Sequence, residues 1–104
     1  MAKKGTGLLM VWADVPANKE DEFNRWYNEE HLAERMAIPG FLSGARYEAV
    51  KGGPKHLAVY ELESPDVLLT DAWAKAVEQG RWPAQVRPHT TNRRHLMLHR
   101  LPGA

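Results

Sequence analysis

The run Leu8-Leu9-Met10-Val11-Trp12-Ala13 is apolar at odd and even positions alike and stops at Asp14-Val15-Pro16. A strand covered on both faces has that pattern, so a first strand is predicted there. Asn18 is placed to cap a helix whose first turn carries Glu20, Asp21 and Glu22, acids that complement the positive end of a helix dipole. At 3.6 residues per turn, Phe23, Trp26, Tyr27, Glu30 and Glu34 share one face, while Leu32 and Met36 fall on the opposite one. The apolar stripe changes phase. A break near Glu30-His31, followed by a short second helical segment that ends before Pro39-Gly40, accounts for this better than one straight helix.

Residues 41–50 read as a strand and Lys51-Gly52-Gly53-Pro54 as a turn. Residues 56–62 form the returning strand, with Leu57 and Val59 alternating against Ala58, Tyr60 and Leu62. Ser64-Pro65-Asp66 supplies an N-cap, a proline at the first helical position and an acid in the first turn, which predicts a helix closing near Gln79-Gly80. Pro83 and Pro88 make residues 81–92 an expected extended connector, with residues 94–101 as the last strand. The order β-α-β-β-α-β is the ferredoxin-like arrangement of the α+β class, two helices covering one face of a four-stranded antiparallel sheet. The first and third strands are apolar on both faces, and the last carries Leu96 and Leu98 on one side and Met97 between His95 and His99 on the other. An open apolar face calls for cover, so a homodimer is predicted, with a charge at Met97 expected to disrupt it.

A chain of 104 residues is one domain, residues 1–104. The formal net charge of +1 offers no bulk attraction for nucleic acid or anionic lipid. The absence of cysteine excludes a disulfide framework, a thiolate zinc site and a cysteine nucleophile, and makes the cytoplasm the expected location. The apolar run at residues 8–11 is too short for a signal sequence or membrane span, so no membrane partner is expected. Charge is nonetheless uneven. Residues 81–104 hold five arginines and no acid, whereas residues 1–80 hold 9 basic against 13 acidic residues. In a compact dimer such halves neutralise each other. An RNA-recognition domain shares the strand order, but its aromatic signature is missing from His56-Leu57-Ala58-Val59-Tyr60-Glu61, so no nucleic-acid partner is expected.

The element order, the two-sided apolar strands and above all Phe23-x-x-Trp26-Tyr27-x-x-x-His31-Leu32 followed by Ile38-Pro39-Gly40-Phe41 resemble the dimeric α+β barrel superfamily. Within it the likeness is to the EthD-like proteins and the methylmuconolactone isomerases. Many of these have proline two residues after the histidine, where this chain has Ala33. The superfamily includes isomerases, cyclases, cofactor-free oxygenases, haem-degrading enzymes and proteins without known activity, so the resemblance implies a fold rather than a reaction.

In the resembling families the histidine matching His31 faces a cavity between helices and sheet. A place near a helix end favours its protonated form. The other reading of His31 is a structural one, capping carbonyls at the kink or pairing with Glu30 or Glu34. Those carboxylates need partners on an apolar stripe, with Arg46 or a connector arginine as the expected ones. Rings at the observed spacings are mostly core, yet Trp26, Tyr27 and Tyr60 can line a pocket for a flat ligand, and Tyr47 is a weaker version of that case. His95 and His99 stand too far apart on a strand to share a metal ion, and His56 and His89 are expected at the surface, so no metal site is expected. The expectation is a homodimer binding a small apolar or aromatic carbonyl, lactone or phenolic compound, without a cofactor. In it His31 moves a proton, Glu30 or Glu34 orients His31, and Tyr27 or Tyr60 stabilises an enolate-like oxygen while Trp26, Tyr47 and Glu34 help to hold substrate. The alternative is a non-catalytic binding or accessory protein.

Overall fold

The computed structural model describes residues 5–80 and 82–103. Arg81, the first residue of the basic segment, and residues 1–4 lie outside that description. Strand β1 spans Gly7–Asp14, β2 Phe41–Glu48, β3 His56–Leu62 and β4 Thr91–His99, all antiparallel in the order β2-β3-β1-β4. This is the four-stranded α+β sheet expected from the sequence, with β4 beginning three residues earlier than predicted.

Directly opposed residues share a face, and the pairing fixes both faces. Leu9 lies opposite Tyr60 and Met97, and Val11 opposite Ala58 and His95, on the side covered by helices. Leu8 lies opposite Leu98, Met10 opposite Val59 and Leu96, and Trp12 opposite Leu57, on the open side. Met97 therefore points toward the helical layer, and the open face is carried by Leu96 and Leu98 instead. A bulge between Trp12 and Asp14 sets Asn92 in the left-handed region at φ 53°, where its side chain donates to Asp14 Oδ2 at 3.0 Å.

The first helical layer is longer than one α-helix and more continuous than a broken one. Helix α1, Glu20–Trp26, passes into a π turn at Tyr27–His31 and then into α2, Leu32–Met36. Asn18 falls in a preceding 3₁₀ turn, Ala17–Lys19, and does not cap α1. The predicted phase change is thus real, but its cause is a widened turn rather than a break, and it needs no proline at Ala33. A π turn adds one residue to the circuit. The inward places that a regular helix would give to Glu30 and Glu34 pass to His31 and Arg35, both buried, while the two glutamates are exposed. Gly40, at φ 96°, then turns the chain into β2.

The second layer departs from its prediction. Ser64 precedes a 3₁₀ turn at Pro65–Leu69 and makes no side-chain cap. Thr70 has the extended conformation that stops this turn, and its hydroxyl accepts from the Trp73 amide at 3.3 Å to start α3, Asp71–Ala76. The expected extended connector is wound into a π turn, Trp82–Val86, and a 3₁₀ turn, Arg87–His89. Proline tolerates the first positions of such turns because those amides have no partner in the turn. Phe23, Trp26, Tyr27, Phe41, Tyr60, Leu62 and Trp82 form the core between these layers and the sheet. No helix among the described residues is long and apolar enough to cross a membrane.

Candidate functional site

Between the helical layers and β1, β3 and β4 lies a cavity of about 120 Å³. It is walled on the apolar side by Leu9, Val11, Trp73 and Trp82, and His31, Tyr27 and Tyr60 reach it from the π turn and from β3. The widened turn is what delivers His31 there. Its ring stacks on Trp26 with centroids 4.3 Å apart at 23°, lies 5.5 Å from Trp82 at 22°, and meets the Tyr27 ring edge-on at 4.8 Å and 89°.

Nδ1 of His31 is 3.1 Å from Glu34 Oε1. A carboxylate only accepts, so Nδ1 carries the proton and donates. Nε2 is left with a lone pair and makes no hydrogen bond among the described residues. Burial, with a smaller push from the neighbouring Arg35 charge, lowers the His31 pKa to about 3. Glu34, its side chain 40% exposed, orients the ring but is too well solvated to offset that burial. His31 is therefore neutral at pH 7, the reverse of the protonated form expected from its place near a helix end.

The hydroxyls of Tyr27 and Tyr60 are 2.7 Å apart in a buried hydrogen bond. Burial raises the pKa of both, so both are protonated; one proton joins the pair and the other is free to donate. Gly44 makes room for the Tyr60 ring, since an added Cβ would stand 3.1 Å from Cδ1. Beside the pair, the Arg46 guanidinium lies 4.6 Å over the Tyr27 ring and donates to Asn28 Oδ1 at 2.9 Å and Asn24 Oδ1 at 2.8 Å.

The structure thus brings together His31, Tyr27, Tyr60 and Glu34, with Trp26 packed behind His31 as a core residue. Trp26 Nε1 is buried without an acceptor among the described residues. Glu30 is exposed on the π turn and does not line the cavity. Tyr47 is 58% exposed and pairs with Leu57, which puts it on the open face of the sheet, away from the other rings. Arg46 holds asparagines rather than the glutamates proposed for it. His56, expected at the surface, is 6% exposed; its Nε2 lies 3.2 Å from Glu20 Oε2, and Nδ1 receives a long 3.4 Å contact from Arg46. Sequence reasoning missed Arg35, His56, Trp82 and Arg93 as cavity residues. For Arg35 the signal existed: a stripe shifted by one residue at the phase change leads from His31 to Arg35 by four.

No family model matches the chain, and no curated protein is similar to it. Solved structures are. A variant of MhuD with two manganese protoporphyrin IX molecules per active site aligns with TM-score 0.70 and 22% identity over 94% of this chain and 97% of that one. MhuD is a haem degrader from Mycobacterium tuberculosis. An EthD family protein from Bacillus halodurans aligns with TM-score 0.63 and 15% identity over 92% of this chain and 99% of that one. A dimeric ferredoxin-like protein from an uncultured marine organism gives TM-score 0.72 and 12% identity over 96% and 91%. By strand order, helical layers and these likenesses, the chain has the fold of the ferredoxin-like, dimeric α+β barrel superfamily.

Proposed function

We propose that the chain works as a cytoplasmic homodimer. Its cavity binds a small single-ring compound bearing a carbonyl, lactone or phenolic oxygen and carries out cofactor-free proton transfer on it: isomerisation, cyclisation or lyase-type cleavage. The observation that carries this reading is the Nε2 lone pair of neutral His31 beside a buried phenol pair with one hydroxyl proton to give. In the simplest case Nε2 takes a proton from the carbon next to a carbonyl. The electron pair moves onto the oxygen, which accepts a hydrogen bond from Tyr27 or Tyr60, and Nε2–H returns the proton to another carbon of the same ligand. Glu34 holds the ring orientation throughout. A dry, apolar-engineered cavity of about 150 Å³ accommodates one benzene ring. At about 120 Å³ this cavity is of the size of one small ring. The dimer is supported by the apolar open face and by the dimeric neighbour.

The second reading, a non-catalytic binding or accessory protein, is favoured by one observation. A histidine held at about 3 is a weak base until a ligand changes its surroundings. Conversion of α-angelica lactone to its conjugated isomer, followed by absorbance, separates the two. The parent protein should accelerate it, and His31→Gln should lower the rate by roughly 10²–10⁴-fold. Binding of the lactone without acceleration would leave the accessory reading in possession; absence of binding would remove both.

A further inference from the structure

The charges around the cavity do not cancel. Arg35, Arg46, Arg87 and Arg93 line it, and no Asp or Glu does among the described residues. Arg35 is the extreme case. It is 6% exposed, and its guanidinium lies 5.0 Å over the Trp73 ring, yet it makes no hydrogen bond and no ion pair among the described residues. Buried charges are paired as a rule, because desolvation is otherwise uncompensated. Glu34 acts on Arg35 only at a distance, its 40% exposed carboxylate being turned to His31, and Glu20 is engaged with Lys55 and His56. Arg46 does not change the balance, since its two donors end on neutral asparagine amides. The two phenols are protonated and supply no negative charge.

We infer that the missing anion belongs to the ligand, and that the cavity takes a single-ring carboxylate, aromatic or lactone, whose carboxylate is held by Arg35. Resting on the reading that the cavity binds a single-ring compound, this inference adds the charge and names the anchor. A guanidinium offers parallel donors that match the two oxygens of a carboxylate, and it is more weakly hydrated than an ammonium, which suits a buried position. The apolar wall of Leu9, Val11 and Trp82 receives the ring, and the carboxylate makes good the charge that burial leaves on Arg35. The sequence's surplus of arginines after residue 80 acquires a use as well, because Arg87 and Arg93 bring part of it to the rim.

Benzoate, its neutral isostere benzamide and inorganic phosphate test the inference, each titrated against the full-length protein at pH 7 with tryptophan fluorescence as readout. Benzoate should bind at least about tenfold more tightly than benzamide, the difference expected for charge-assisted hydrogen bonds to a buried cation, and phosphate should not displace it. In Arg35→Met the benzoate preference should fall to about one, with benzamide affinity little changed. Arg35→Lys, which keeps the charge but loses the fork, should fall between and serves if the methionine variant does not fold. Equal binding of benzoate and benzamide by the parent would overturn the anionic ligand while leaving the ring-binding cavity intact, and binding of neither would overturn both. Displacement by phosphate would show a bare anion site rather than a ring carboxylate site. A preference that survives in Arg35→Met, or is unchanged in Arg35→Lys, would show that Arg35 is not the anchor.

Discussion

The two faces of the sheet break opposite rules. On the helical side the cavity wall is cationic, with Arg35 buried and making no hydrogen bond or ion pair among the described residues. On the open side an apolar patch is uncovered between Glu61 and Arg94, with Leu96 45% and Leu98 37% exposed beside Leu8, Met10 and Val59. A protein surface sheds large apolar patches and a protein interior sheds lone charges. The small anion proposed for one face and the second copy of the chain proposed for the other answer one exception each. Strand β4 belongs to both, since its residues alternate between Arg93, His95 and Met97 toward the helices and Arg94, Leu96 and Leu98 toward the open face.

The largest effect should come from charging one face and then the other. The parent should sediment at about twice its 11.8 kDa chain mass. Leu96→Asp should give monomer or aggregate, whereas Met97→Asp, at a position 61% exposed on the helical side, should keep the parent's mass. If both behave alike, the division of β4 between the faces is wrong. Trp26→Ala comes next. Its ring is 2% exposed and packs on Phe23, His31 and Trp82, so its removal should cost about 3–5 kcal/mol in urea unfolding. A cost below about 1 kcal/mol would move Trp26 from the core to the cavity wall.

The smallest effect is in pH. His31 binds a proton in the unfolded chain below about 6.5 and in the folded one only near 3. Between those values the unfolded state holds more protons, so stability should fall as pH drops, by up to about 1.4 kcal/mol per unit. His95, also lowered by burial, adds to the slope. His31→Gln should flatten it between pH 6.5 and about 4.5, above the range where the lowered carboxyls of Asp14 and Glu20 contribute with the same sign. An unaltered slope would mean that His31 is solvated.

The fold was legible because its signals are local and periodic. β3 was read to the residue from the alternation of Leu57 and Val59 with Ala58 and Tyr60, and the hairpin from Gly52-Gly53. The second layer was not, since Ser64-Pro65-Asp66 has the form of a strong start and the competing stop lies in the conformation of Thr70, which composition does not announce. Of the candidate site, Trp26, Tyr27 and His31 were visible as a motif, and Tyr60 as one of several large rings. Arg35 was hidden by a correct observation given the wrong cause: the phase change was seen at Glu30-His31, but a break erases the register beyond it whereas a π turn shifts it by one. His56 was misplaced because a histidine at a strand's first position reads as surface, and only the sheet register puts it on the buried side with Ala58 and Tyr60.

The central claim is that His31 is a neutral imidazole, protonated on Nδ1 toward Glu34, with its Nε2 lone pair kept for a ligand. Nitrogen-15 chemical shifts of the His31 ring, followed from pH 8 to pH 4, test it directly. The account predicts the Nδ1–H tautomer at pH 8 and no protonation of the ring down to about pH 5. A His31 ring that takes up its second proton between pH 8 and pH 5, or one that carries its single proton on Nε2, would contradict it.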